Sequence, residues 1–284
     1  MKNLLESLPP VAEIMRDSGL EPKKAFGQNF LFDLNLTSKI ARSVPDIQNS
    51  TVIEVGPGPG GLTRSLLMAG TKRVIAIEKD KTTEPILKKI QDASDGRLEI
   101  IFDDALKVFG EKKLSGIQAA MCSNLPYNVG TELLIQWLHY ISDNKSPIKI
   151  TSMTLMFQRE VAERIVAKVG DNQYGRLAVL VSLIADAKIL FNVPNTAFVP
   201  RPKVQSAIVQ IIPNAEKIKV LKDLSKIETL TAKLFGQRRK MIRGIIPNVD
   251  WNVFGLTGTE RAEELSSQKF AEISSRLFDF LCKL

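Results

Sequence analysis

Histidine is nearly missing from this chain: His139 is the only one in 284 residues. A histidine-based catalytic triad and a multi-histidine metal site are thereby set aside, and no metal is expected. Cysteine is almost as scarce. Cys122 and Cys282 stand far apart, which fits reduced thiols in a cytoplasm and argues against a disulfide framework. No apolar run reaches about 18 residues, so no membrane span is expected. Residues 1–20 carry Glu6, Glu13 and Asp17 among their apolar neighbours and lack a signal-peptide core. Internal repeats and low-complexity tracts are absent. Acids disappear locally as well, with none between Glu228 and Asp250.

What is present is an ordinary globular composition, 44% hydrophobic and 25% charged, with a net charge of +8. The length suits one large domain and a small one. Strand and helix patterns alternate to about residue 212, which predicts a mostly parallel sheet with helices on both faces. Strands are expected near 52–55, 73–78, 98–102, 117–123, 150–157, 187–193 and 204–212, the last two as hairpin partners. Helices are expected over 11–19 and 33–44, the latter capped by Asp33. From Pro213 onward only short helical patterns occur, which divides the chain into domains 1–212 and 213–284. Within the second, Lys233, Arg238, Arg239, Lys240 and Arg243 fall in the acid-free stretch, and residues 237–243 have helical spacing. Clustered charge of this kind points to a polyanionic partner.

The chain is organised around Val52-Ile53-Glu54-Val55-Gly56-Pro57-Gly58-Pro59-Gly60-Gly61-Leu62-Thr63. A β-branched run ends in a glycine cluster and an amphipathic segment follows, the pattern of strand, tight loop and helix N-terminus. Such a loop brings backbone close to a ligand at the carboxyl end of a parallel strand. The glycine spacing alone suits a dinucleotide or a nucleoside cofactor. Glu54 inside the strand, and the two N–H donors removed at Pro57 and Pro59, favour a ligand without phosphates, S-adenosylmethionine. Glu78 ends the next strand 22 residues after Gly56, where an acid accepts from ribose hydroxyls. Asp104 beside Ala105 ends the third and can accept from an adenine amino group; Asp103 is its close rival.

After the fourth strand comes Asn124-Leu125-Pro126-Tyr127. As a bare tetrapeptide this is an ordinary turn, but its place behind a glycine loop gives it chemical meaning. An exocyclic adenine amine is a poor nucleophile because its lone pair is delocalised into the ring. Acceptors for both N–H bonds, the Asn124 Oδ1 and the Leu125 carbonyl, hold that nitrogen towards tetrahedral geometry. Pro126 fixes the turn, and Tyr127 gives an unstacked base a face to lie on.

At these residues the sequence resembles the KsgA family of ribosomal RNA adenine N6,N6-dimethyltransferases. The resemblance spans almost the whole chain: Gly27 to Leu31, Glu54 to Thr63, Glu78-Lys79-Asp80, Asp104-Ala105, Asn124 to Tyr127, Tyr174 to Leu177 and Phe198 to Val204. It implies a Rossmann-like S-adenosylmethionine-dependent methyltransferase fold with a mostly parallel seven-stranded sheet and a small all-helical C-terminal RNA-binding domain. The implied substrate is a pair of adjacent adenines in the hairpin near the 3′ end of small-subunit rRNA. It assigns Asn29, Leu31, Gly56, Glu78, Asp104 and Asn124 to cofactor contact, with Gln28, Glu54, Gly58, Lys79 and Ala105 beside them. Residues 23–31 then read as a cofactor lid. Phe198 becomes a second stacking aromatic opposite Tyr127. The expected partner is the rRNA of an immature small subunit, met by a cytoplasmic monomer with no membrane or DNA partner. The rivals are a large-subunit rRNA adenine methyltransferase of the resistance type, a non-catalytic assembly factor, and an NAD-dependent oxidoreductase, which would leave Asn124 to Tyr127 unexplained.

Overall fold

The computed structural model describes residues 4–17, 19, 29–111, 113–143 and 145–281. Two short helices, α1 (Leu4–Ser7) and α2 (Val11–Asp17), come first. They are followed by the two-residue strand β1 (Phe30–Leu31) and by α3 (Leu34–Arg42). Asp33 caps α3 as expected, its side chain accepting from the backbone N–H of Asn35 at 2.8 Å and of Leu36 at 3.3 Å.

Strands and helices then alternate: β2 (Thr51–Val55), α4 (Gly61–Met68), β3 (Arg73–Glu78), α5 (Glu84–Asp92), β4 (Leu98–Phe102) and α6 (Ala105–Gly110). The alternation continues through β5 (Ile117–Asn124), α7 (Gly130–Ser142), β6 (Ile148–Gln158), α8 (Arg159–Val166), α9 (Arg176–Ile184) and β7 (Ala185–Val193). The short β8 (Phe198–Val199) and the longer β9 (Ser206–Pro213) complete the strands. Helices α10 (Ala215–Val220), α11 (Leu224–Phe235), α12 (Ile242–Ile245) and α13 (Ser267–Leu281) end the described chain.

Seven strands form one sheet in the order β4-β3-β2-β5-β6-β9-β7. The pairings β2/β3, β3/β4, β2/β5 and β5/β6 are parallel, with Val52 opposite Val74 and Ile53 opposite Ile75. The centre of β3, Val74 to Ile77, is buried throughout. An unbroken apolar run is what a parallel strand covered on both faces requires. The order reverses at β2, whose neighbours are β3 on one side and β5 on the other. That switch point places the loops after β2 and β5 side by side, at the carboxyl ends where open α/β sheets take their ligands.

The chain forms two compact units. One comprises residues 1–140, 145–162 and 189–210, and the other residues 141–144, 163–188 and 211–284. Residues 163–188 thus fall with the C-terminal helices, a grouping that a linear boundary at 212 does not express. In the second unit Tyr174 meets Phe235 edge-on, and Phe235 stacks on Phe270 at 5.5 Å. The Tyr174 hydroxyl donates to the Leu265 carbonyl at 3.0 Å, and Arg176 pairs with Glu228. The helical spacing of residues 237–243 is not realised. Helix α11 stops at Phe235, residues 236–240 are turns and a bend, and Met241 is extended and bridges to Arg261 before α12 begins.

Gly60 shows why the loop after β2 is glycine-rich. Its φ is +84°, and a Cβ there would lie 2.3 Å from the Cδ1 of Ile90. Left-handed backbone costs an ordinary residue about 1–2 kcal/mol before any clash. Gly60→Ala is expected to lower the melting temperature by at least about 3 °C. Ile90→Val removes the clashing Cδ1, so calorimetry should find a smaller loss when Gly60→Ala is made in that background. Equal losses in both backgrounds would sink the steric account.

Candidate active site

The loops at the switch point enclose one cavity of about 280 Å³, near the lower end of the range for small-molecule sites. Its wall gathers Asn29, Leu31, Glu54, Gly56, Gly58 and Glu78 with Lys79, Asp104, Ala105 and the whole Asn124-Leu125-Pro126-Tyr127 turn. These come from five separate stretches of sequence. Gln28 lies outside the described residues.

Close approach shapes this wall. Residues 29–31 lie across the glycine loop, where a Cβ on Gly61 would be 2.6 Å from the Leu31 carbonyl oxygen. One on Gly58 would be 2.8 Å from the Phe30 ring. Phe30 packs in turn with Ile14, Met15 and Ile86. The segment is held in place because β1 pairs antiparallel with β8, Phe30 opposite Val199 and Leu31 opposite Phe198. That two-residue sheet is too short to give any sequence pattern. Asn29, at its entrance, accepts a 2.9 Å hydrogen bond from Asn124 Nδ2 through its backbone carbonyl. The donor face of the Asn124 amide is thereby engaged, and Oδ1 is left as an acceptor on the cavity wall.

Phe198 departs from expectation. It is only 2% exposed and packs in the core with Leu31, Leu62 and Ile208, away from the cavity lining. Its pairing within β8 turns the side chain inward, so in this conformation it offers no face to a base. Tyr127, by contrast, lines the cavity. Its hydroxyl shares a 2.7 Å hydrogen bond with Ser206 Oγ, at the start of β9. Ser206 is fully buried. It lay within an expected strand, but its hydroxyl anchor could have been found only from the fold.

The acids differ in their surroundings. Glu78 accepts from the Gly58 N–H at 2.9 Å and the Asp80 N–H at 2.8 Å. Burial raises its pKa, against the lowering effect of these bonds. Asp104 caps α6 by accepting from the Leu106 N–H at 2.9 Å, and Lys79 lies 2.7 Å from its other oxygen and lowers its pKa. Asp103 also lines the cavity and is held below its ordinary value chiefly by Lys113 at 2.7 Å.

Glu54 is the outlier. Burial is the main cause that pushes its carboxyl up to about 8, reinforced by the charge of Glu78 and partly offset by the hydrogen bond from Thr63 Oγ1 at 2.6 Å. A carboxyl so placed is neutral near pH 7.

The expected nucleic-acid cations lie in the second compact unit. Lys233, Arg239, Lys240 and Arg243 are exposed there, whereas Arg238 is committed to an ion pair with Glu263 and a 3.0 Å bond to the Asn172 carbonyl. Among the described residues, no group of His, Cys, Asp and Glu is arranged to hold a metal ion.

The family described as ribosomal RNA adenine dimethylase matches residues 19–279. The ribosomal RNA small subunit methyltransferase A of Azorhizobium caulinodans is 48% identical over 278 residues, 95% of this chain and 94% of the relative. Its counterpart in Chelativorans is 46% identical, covering 96% and 99%. A dimethyladenosine transferase from Plasmodium falciparum superposes with a TM-score of 0.71 at 26% identity, over 89% of this chain and 98% of that one. The 23S rRNA methyltransferase ErmE superposes at 0.65 with 21% identity, covering 88% and 99%, a likeness of fold.

The Glu54 environment predicts a pH dependence of stability. Below its ordinary value of 4.5 the carboxyl is protonated in both folded and unfolded states. Between there and about 8 only the folded state keeps the proton, so its contribution to stability is lost as pH rises through that window. Glu54→Gln is neutral throughout. Its melting temperature is expected to fall less than that of the unaltered protein between about pH 5 and pH 8.5. Parallel curves in differential scanning calorimetry would contradict the assignment.

Proposed function

The chain belongs to the ribosomal RNA adenine dimethylase family, and from that membership we propose that it dimethylates N6 of two adjacent adenines in the 3′-terminal hairpin of small-subunit rRNA. The methyl donor is S-adenosylmethionine, which supplies an activated methyl group when bound. The substrate is the RNA of an immature small subunit, and the enzyme acts as a monomer in the cytoplasm during ribosome biogenesis. Among the described residues, no helix is long and apolar enough to cross a membrane.

One observation carries the chemical reading: the Asn29 carbonyl engages Asn124 Nδ2, so Oδ1 is the atom that remains to accept from the adenine amine. The Leu125 carbonyl supplies the second acceptor on the same turn. Together they hold the nitrogen lone pair out of conjugation with the ring. Pro126 seats the turn against the glycine loop, its Cδ lying 3.5 Å from where a Cβ of Gly56 would be. Tyr127, anchored by Ser206, stacks on the extruded base, a contact worth roughly 1–3 kcal/mol. No strong general base is required, because the amine becomes acidic once methylated and then gives up its proton. Positioning supplies much of the rate.

For the cofactor, residues 29–31, Glu54, Gly56 and Gly58 form its cradle. Their fit rests on how closely residues 29–31 approach the glycine loop and on the buried Glu54 of the cavity wall, whose carboxyl is pushed up to about 8. Glu78 takes the ribose hydroxyls, and Asp104, flanked by Lys79 and Ala105, takes the adenine amine. Residues 213–284 form the helical RNA-binding domain, where Lys233, Arg239, Lys240 and Arg243 meet phosphates. Arg238 serves there by tying its turn to Glu263.

Tritiated methyl transfer to undermethylated small subunits, followed by nucleoside analysis, tests the reaction. Dimethyladenosine at two adjacent positions is expected. Label confined to large-subunit RNA would transfer the chain to the resistance type, and no label with cofactor bound would leave an assembly factor. Asn124→Ala is expected to lower kcat at least about 100-fold while the S-adenosylmethionine Kd changes by less than about threefold. Equal losses in both would refute the acceptor role.

A further inference from the structure

The loop between β8 and β9 has no part in the chemistry above, yet it is pinned beside it. At its start, Phe198 and Val199 are paired to β1 on the cavity wall. At its end, Ser206 is bonded to Tyr127. Between them the Pro202 carbonyl accepts from Asn195 Nδ2 at 3.3 Å, and the Gln205 carbonyl accepts from the Arg159 N–H at 2.9 Å. Pro200 and Pro202 restrict the backbone further. A seven-residue excursion so tied at both ends is rigid and cannot travel far from the tyrosine.

Its outward side chains are charged. Arg201 and Lys203 are exposed and have no hydrogen bond or ion pair among the described residues. Other exposed cations at the rim of the cavity, Lys79 and Lys113, are paired with Asp104 and Asp103. Val199 and Val204, 50% and 44% exposed, flank them. The chain thus spends rigidity on holding two uncompensated charges and two apolar surfaces in water. Lys203 stands three residues from Ser206, so its Cα lies within about 11 Å of that residue's Cα.

We propose that the loop of residues 199–205 is a clamp for the RNA strand that carries the target adenine, with Arg201 and Lys203 neutralising flanking phosphates and the two valines lying against sugar or base. This rests on the RNA methyltransferase reading and deepens it. A base taken out of its stack must have its backbone held close by. Cations on a rigid support three to five residues from the tyrosine's anchor supply that hold. The clamp acts on the strand at the cavity.

The test is the double substitution Arg201→Glu, Lys203→Glu in the full chain. A control, Lys72→Glu with Lys149→Glu, makes the same charge change at exposed sites toward the amino ends of β3 and β6, away from the cavity. Binding is measured by filter retention of an RNA stem-loop with two adjacent loop adenines and of undermethylated small subunits, across a salt series. The loop variant is expected to bind both at least about tenfold more weakly than the control. Its slope of log K against log salt should be shallower by about 1.4, the loss of two single-strand phosphate contacts. Its KM for RNA should rise in step while the Kd for S-adenosylmethionine stays within about twofold. Affinity and slope equal to those of the control would overturn the clamp. Binding is read separately from methylation, so loop-dependent affinity without dimethyladenosine would keep the clamp and discard the proposed reaction.

Discussion

The closeness of two backbones governs this site. Residues 29–31 lie against the glycine turn so tightly that a single carbon added at Gly58 or Gly61 would collide with Phe30 or with the Leu31 carbonyl. That approach brings the Asn29 carbonyl to the Asn124 Nδ2, a contact that sets which way the Asn124 amide points. The arrangement is cooperative in origin. The strap has only two strand residues and is stable because β8 completes its hydrogen bonds and because Phe30 has an apolar pocket between α2 and α5. Glycine in the turn is therefore a packing requirement of the strap as much as a conformational one.

Electrostatics at the same place divide by depth. The carboxylates at the rim, Asp103 and Asp104, are paired with lysines and remain charged. Glu54 is buried and accepts from the Thr63 hydroxyl, and its desolvation favours the neutral form.

Much of this was legible in sequence because parallel strands buried on both faces leave continuous apolar runs, and those fall within two residues of their observed ends. The glycine turn, the acids ending β3 and β4, and the turn after β5 could be placed on one edge from strand order alone. Three things could not. The β1–β8 pairing is too short to leave a period, so residues 29–31 read as loop. Phe198 was set opposite Tyr127 by the family resemblance alone, and the strand pairing places it in the core. Residues 237–243 repeat charge at helical spacing, but Gly236 and the extended Met241 give that segment another backbone. Ser206 is the reverse case, an unremarkable strand residue whose worth comes from the tyrosine hydroxyl it meets across the sheet.

The bond between Asn29 and Asn124 also bears on how the protein ages. Asparagine side chains are slowly lost, through a cyclic imide, to isoaspartate and aspartate, and the aspartate product adds one negative charge. At position 124 it would replace the amide nitrogen that donates to the Asn29 carbonyl with an oxygen, setting two lone-pair-bearing atoms face to face at the distance of a hydrogen bond. The strap and the turn after β5 would then repel each other through the very contact that joins them. Even the aspartate product, close to asparagine in size and shape, would loosen the cavity wall as it removed the amide.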